Sequence, residues 1–148
     1  MSTSVSESEG QIAGNPDAAP VVQVRRAVAA PVTHVWEVLV SDAGAEALLG
    51  AGARLGGKGE AYHCTDGVSG VLRSYHPLEQ IRFSWHADDD APKSLVDLHL
   101  MKQGDDATVV EIRHEHIPGG WDTDAITQHW EDALDRIHVH IAELALAP

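Results

Sequence analysis

The chain has 148 residues, with 23 Asp and Glu against 10 Lys and Arg, a formal net charge of -13. That length suits one domain with a real core, and that charge opposes phosphate backbones and anionic lipid surfaces, so nucleic acid and membrane partners are not expected. The single cysteine, Cys64, excludes an intrachain disulfide and any cysteine-based zinc cluster. No apolar run approaches the roughly 20 residues of a membrane span, and the N-terminus lacks a basic region followed by an apolar stretch. A cytoplasmic location is the expectation.

Residues 1–19 are rich in Ser, Glu, Gly and Ala, without apolar periodicity, and read as a disordered tail ahead of a single domain over 20–148. Val21–Val28 alternates like a strand. Pro31 is placed at the first position of a helix carrying Val35, Trp36 and Leu39, where its missing N–H costs nothing. Asp42 is read as the cap of a second short helix ending at Leu49. Gly50–Gly59 is a glycine-rich connection. Its Gly-Gly-Lys-Gly lacks the Gly-Lys-Ser/Thr ending and following helix of a phosphate loop.

Strand patterns follow at Glu60–Cys64, Val68–Tyr75, Gln80–Trp85, Ser94–Met101 and Thr108–His116. The breaks between them are Asp66-Gly67, His76-Pro77, the Asp88-to-Pro92 run and Gly104-Asp105-Asp106. Connections this short imply an antiparallel meander. Alternation puts Ile81, Phe83 and Trp85, then Val96, Leu98 and Leu100, then Val110, Ile112 and His114 on one apolar face. Arg82, Ser84 and His86, with Asp97, His99, Glu111, Arg113 and Glu115, fall on a wet one. After a Pro/Gly loop, Ile126, Trp130, Leu134, Ile137, Ile141 and Leu144 recur at three- and four-residue steps. They make one apolar stripe on a long final helix. The Asp122 and Asp124 pair, just after Trp121, is read as its N-cap with favourable dipole placement.

This order resembles the helix-grip fold of the START-like SRPBCC superfamily, and most closely its branch similar to the C-terminal domain of the heat-shock-protein-90 ATPase activator. The matching residues are Ala30-Pro31 with Val35-Trp36, Gly70-Val71, and Pro77 leading into Ile81-Arg82-Phe83-Ser84-Trp85. Thr108 before Val110-x-Ile112-x-His114, and Trp130 with Leu134 and Ile137, complete the match. Two positions depart from the branch: Leu48-Leu49-Gly50 replaces a frequent Trp, and His129 replaces a frequent Gly before Trp130. The resemblance implies an α+β domain: a curved antiparallel sheet around a long C-terminal helix, with two short helices after the first strand. It also implies an internal cavity for a small hydrophobic or aromatic molecule, in a carrier, sequestration or self-resistance role. The other roles it implies are a cyclase-like acid–base enzyme and a chaperone-interacting domain.

The expected cavity walls are Phe83, Trp85, Leu98, Val110, Ile112, Leu134 and Ile137, joined by the aromatic side chains of Trp36 and Trp130. Tyr62 and Tyr75 are candidate polar anchors, the face of Arg73 is open, and His114 is the main anchor. If the domain is an enzyme, His114 is its candidate base. His114 and His116, roughly 6.5–7 Å apart on one strand face, offer two imidazoles but no third ligand, so no metal or other cofactor is expected. His138 and His140 sit about 200° apart around the helix. His129 and His140 share a side but lie about 16 Å apart. No Gly-x-Ser-x-Gly elbow exists, and Ser41 alone lies near a strand-to-helix junction.

Because the tail lacks apolar periodicity, deleting residues 1–18 is expected to leave the melting temperature nearly unchanged in a thermal scan. A fall of many degrees would show that it packs.

Overall fold

A computed structural model describes residues 21–86 and 92–146, with side chains through Glu143 in the last helix. The tail expected over 1–19, the Asp88–Asp90 turn and the Leu144 end of the apolar stripe lie outside the described residues. The elements are β1 (Val22–Val28), α1 (Val32–Val40), α2 (Asp42–Leu49), β2 (Ala61–His63), β3 (Ser69–His76), β4 (Gln80–Trp85), β5 (Ser94–Lys102), β6 (Thr108–Glu115) and α3 (Thr123–Leu146). One antiparallel sheet runs β1-β6-β5-β4-β3-β2. The chain therefore adopts the helix-grip arrangement, with the long helix laid along the apolar face of a curved open sheet.

Two helix starts differ from expectation by one residue. Pro31 is the N-cap of α1, in extended conformation, and not its first helical residue. Its carbonyl accepts from the His34 and Val35 N–H groups. Ser41, and not Asp42, caps α2, because its hydroxyl accepts from the Gly44 N–H at 3.1 Å. Asp42 follows in the first turn, where a carboxylate faces the positive end of the helix dipole. Of the Asp122 and Asp124 pair, it is Asp122 that caps α3, accepting from the Asp124 and Ala125 N–H groups.

The inner face is as alternation predicts. Ile81, Phe83, Val96, Leu98, Val110 and Ile112 are all buried, and Trp130, Leu134, Ile137 and Ile141 of α3 close over them. The outer face is drier than expected. Ser84, His86 and Asp97 are buried there. Asp97 accepts two hydrogen bonds from the Arg82 guanidinium and one from Gln80, which satisfies the carboxylate where water is excluded. Ser84 is buried because its hydroxyl accepts from the Val71 N–H, next to the register shift between Leu72 and Ser74. Arg73 occupies that shift and its side chain is exposed, so it does not enter the interior.

β3 and β4 approach closely at Gly70. The Tyr62 hydroxyl donates to the Ser84 carbonyl at 2.7 Å, and a methyl at Gly70 would overlap both that carbonyl and the tyrosine oxygen. Gly70→Ala is therefore expected to destabilise the domain by about 1–3 kcal/mol or more, as backbone-limited overpacking does. Urea denaturation measures it, and an unchanged midpoint would show that the strands can separate without cost.

Candidate functional site

The interior is organised around His114. Its side chain is fully buried and its two ring nitrogens are both engaged. The Trp130 indole N–H can only donate, and it donates to Nδ1 at 3.0 Å. Nδ1 is thus the acceptor and the proton of the neutral ring sits on Nε2. Nε2–H then donates to Ser94 Oγ at 2.6 Å, and the Ser94 hydroxyl donates onward to the Trp85 carbonyl at 2.8 Å. Burial, with a smaller contribution from the neighbouring His129, holds the His114 pKa down at about 4, well below its ordinary 6.5. His114 has no spare lone pair and no unpaired proton to offer a substrate.

His116 does not join it. β6 ends at Glu115, and His116 takes a left-handed backbone (φ 56°) with an exposed side chain. The two imidazoles predicted to share one strand face are thus separated by solvent exposure and by the end of the strand. Among the described residues no group of three potential metal ligands converges.

The residues expected as cavity walls meet in a packed middle layer. Phe83 touches Tyr62 and Trp130 edge-on, with ring centroids 5.8 and 6.3 Å apart. Leu98, Val110, Ile112 and Ile137 are at most 1 % exposed around them, and Leu134 is 4 % exposed beside them. Tyr62 turns its hydroxyl to the backbone, and burial raises its pKa, so it is a neutral core group. Open space lies to either side of this layer. On one side is a cleft of about 290 Å³ lined by Trp36 and Val40 of α1, Leu55 and Gly56 of the glycine-rich connection, Leu72 and Tyr75 of β3, and Ile81 of β4. The Trp36 and Tyr75 rings stand 6.3 Å apart, tilted by 34°. Trp36 and Tyr75 were legible in the sequence as site candidates. Val40, Leu55, Gly56, Leu72 and Ile81 were missed, because nothing in the local pattern says that the glycine-rich segment folds back beside α1. Trp85 stands at the opposite end of the layer, against Trp121.

The cleft has one hydroxyl and no formally charged side chain among its described lining residues. It also has no histidine or carboxylate. Such a surface can hold an apolar ring by contact, and it carries no group suited to proton transfer near neutral pH. Cys64 is buried, its thiol donates to the Leu49 carbonyl at 3.3 Å, and burial pushes its pKa up to about 11, so it is no nucleophile.

A family model described as "Activator of Hsp90 ATPase homolog 1-like protein" matches residues 29–142. A search of the curated proteins found no match to the sequence. Among solved structures, the chain is similar to CalU16 from Micromonospora echinospora (24% identity, TM-score 0.70, covering 83% of this chain and 76% of that one). It is also similar to DynU16, described as a protein in the dynemicin biosynthetic locus (19% identity, TM-score 0.69, covering 82% of this chain). This chain spans 47% of the DynU16 chain. The Aha1 dimer from Colwellia psychrerythraea is a third (14% identity, TM-score 0.68, covering 82% of this chain and 96% of that one). At these identities the likeness is one of fold.

The state of His114 has a consequence for acid stability. Its pKa is lower folded than unfolded, so its contribution is complete above about pH 6.5 and is lost progressively as pH falls towards 4. Between pH 7.5 and 5 this amounts to about 2 kcal/mol at most. His114→Gln, whose amide can accept from Trp130 and donate to Ser94, is expected to flatten that part of the pH dependence of urea unfolding. An unchanged slope would show that His114 does not set it.

Proposed function

The chain belongs to the Activator of Hsp90 ATPase homolog 1-like family, and from that premise we propose that it binds a small, neutral, apolar or aromatic molecule in the cleft beside α1. The role is that of a carrier or of a sequestering, self-resistance protein. The observation that carries this reading is the pairing of Trp36 with Tyr75 across an otherwise aliphatic cleft. A volume of about 290 Å³ stands at the lower end of the usual range for ligand pockets, roughly 300–1,000 Å³. It suits a molecule of one or two rings. The absence of formal charge among the described lining residues favours a neutral ligand, since an ion would leave water without a partner. The location of DynU16 in a natural-product locus supports sequestration over housekeeping transport.

The enzyme reading finds less support. His114, the one candidate base, spends both nitrogens on Trp130 and Ser94. The chaperone-interaction reading rests on family membership alone.

N-phenyl-1-naphthylamine, a neutral fluorescent probe, tests the proposal. It is expected to bind saturably to the wild type. Val40→Trp, at an exposed position on the cleft rim, is expected to block uptake while the melting temperature stays nearly constant. Trp36→Ala is expected to weaken binding by roughly threefold to tenfold, the worth of one aromatic contact at about 0.5–1.5 kcal/mol. Equal affinity in all three proteins, or no uptake by the wild type, would remove the cleft as the site.

A further inference from the structure

The far end of the packed layer holds two polar atoms that the fold leaves unsatisfied. Trp85 Nε1 and His129 Nε2 are both buried, and neither has a hydrogen-bond partner among the described residues. They belong to rings in contact, with centroids 5.8 Å apart. A buried donor without an acceptor costs about as much as a lost hydrogen bond, and native proteins rarely tolerate one without a reason. Of the two rings, Trp85 lines an opening and His129 packs behind it.

The opening is there. Trp85, Trp121, Asp122, Ala125 and Ile126 line a shallow apolar depression of about 300 Å³. Trp121 stands edge-on to Trp85 with centroids 5.6 Å apart. It follows Pro118-Gly119-Gly120, and there is open space beside both glycines. Gly120 takes φ 89°, a conformation that suits glycine. Trp121 thus follows a short glycine-containing loop and stands at the depression's edge. The depression is distinct from the cleft beside α1. Ile81 of that cleft and Trp85 are four residues apart on one strand, roughly 13 Å. Phe83, fully buried, stands between them.

We propose that this depression is a second ligand site, for a neutral aromatic molecule bearing a hydroxyl or amide. Its ring lies against Trp85, Trp121 and Ile126, and its polar group meets the Trp85 indole N–H and His129 Nε2. Trp121 is the movable cover, displaced to admit the ring. The chemistry matches on each count. The indole N–H needs an acceptor. His129 is neutral because burial lowers its pKa, with Arg136 adding to the effect, so it does not call for an anion. A hydroxyl or amide both donates and accepts, and so meets either tautomer of the imidazole. The site does not depend on the cleft being functional.

The test uses the full ¹⁵N-labelled chain and reads the indole N–H resonance of Trp85, identified by its loss in Trp85→Phe. The probes are 2-naphthol and naphthalene, which share a ring system and differ by one hydroxyl. The expected result is a saturable shift of the Trp85 resonance with 2-naphthol, at an affinity roughly threefold to tenfold above that for naphthalene, the worth of one hydrogen bond. The same shift is expected in Trp36→Ala, since that variant alters only the other cleft. His129→Phe, which keeps a ring against Trp130, is expected to reduce the preference for naphthol, and it serves where Trp85→Phe does not fold. An unmoved Trp85 resonance at saturating naphthol would overturn the proposal, as would equal affinity for the two probes. So would a shift that disappears in Trp36→Ala, because the ligand would then lie in the first cleft.

Discussion

Everything in this domain hangs on how α3 is fastened to the sheet, and the fastening is a chain of hydrogen bonds through one neutral histidine. Trp130 donates to His114, His114 to Ser94, and Ser94 to the Trp85 backbone. Those bonds join α3, β6, β5 and β4 in the driest part of the molecule. Each member has one role that its chemistry permits, since an indole only donates and a neutral imidazole must do one of each. The relay therefore sets the rotation of α3 about its axis as well as its distance from the sheet. An apolar stripe alone leaves that rotation loosely specified, because dispersion contacts are not directional.

The same relay decides where empty space can be. By drawing Trp130 down onto Phe83 and His114, it fills the middle of the grip with rings and aliphatic side chains. Here the filling leaves openings at the two ends, one beside α1 and one beside the start of α3. Their linings are both aromatic and aliphatic, but their polar provisions differ. The first has the Tyr75 hydroxyl at its rim; the second has the indoles of Trp85 and Trp121 and the carboxylate of Asp122.

The outer face of the sheet shows that polarity and exposure are separate matters. Asp97 is buried and still hydrogen-bonded, because Arg82 and Gln80 fold over it. Arg26 reaches Asp135 across the gap between β1 and α3, tying the edge strand to the helix. Exposed pairs of this kind contribute little each, and their value lies in holding β1 in register beside the helix. No helix among the described residues is long and apolar enough to cross a membrane.

What the sequence determined by itself was periodicity and its consequences. Strands at two-residue alternation, a stripe at helical spacing, and turn residues between them were enough for element order, the antiparallel meander and the identity of the inner face. Those are local properties, written in the chain at distances of a few residues. Tertiary structure alone decided the rest. Whether His114 is a reactive base or a fully engaged brace depends on Trp130 and Ser94, 16 and 20 residues away. Whether Ser84 and Asp97 are wet depends on a bulge at Arg73 and on an arginine one strand over. The cleft depends on a glycine-rich segment lying back beside α1, and glycine-rich backbone carries no periodic signal of where it will go. A site is a meeting of distant side chains in three dimensions, and spacing along one chain does not encode which of them will meet.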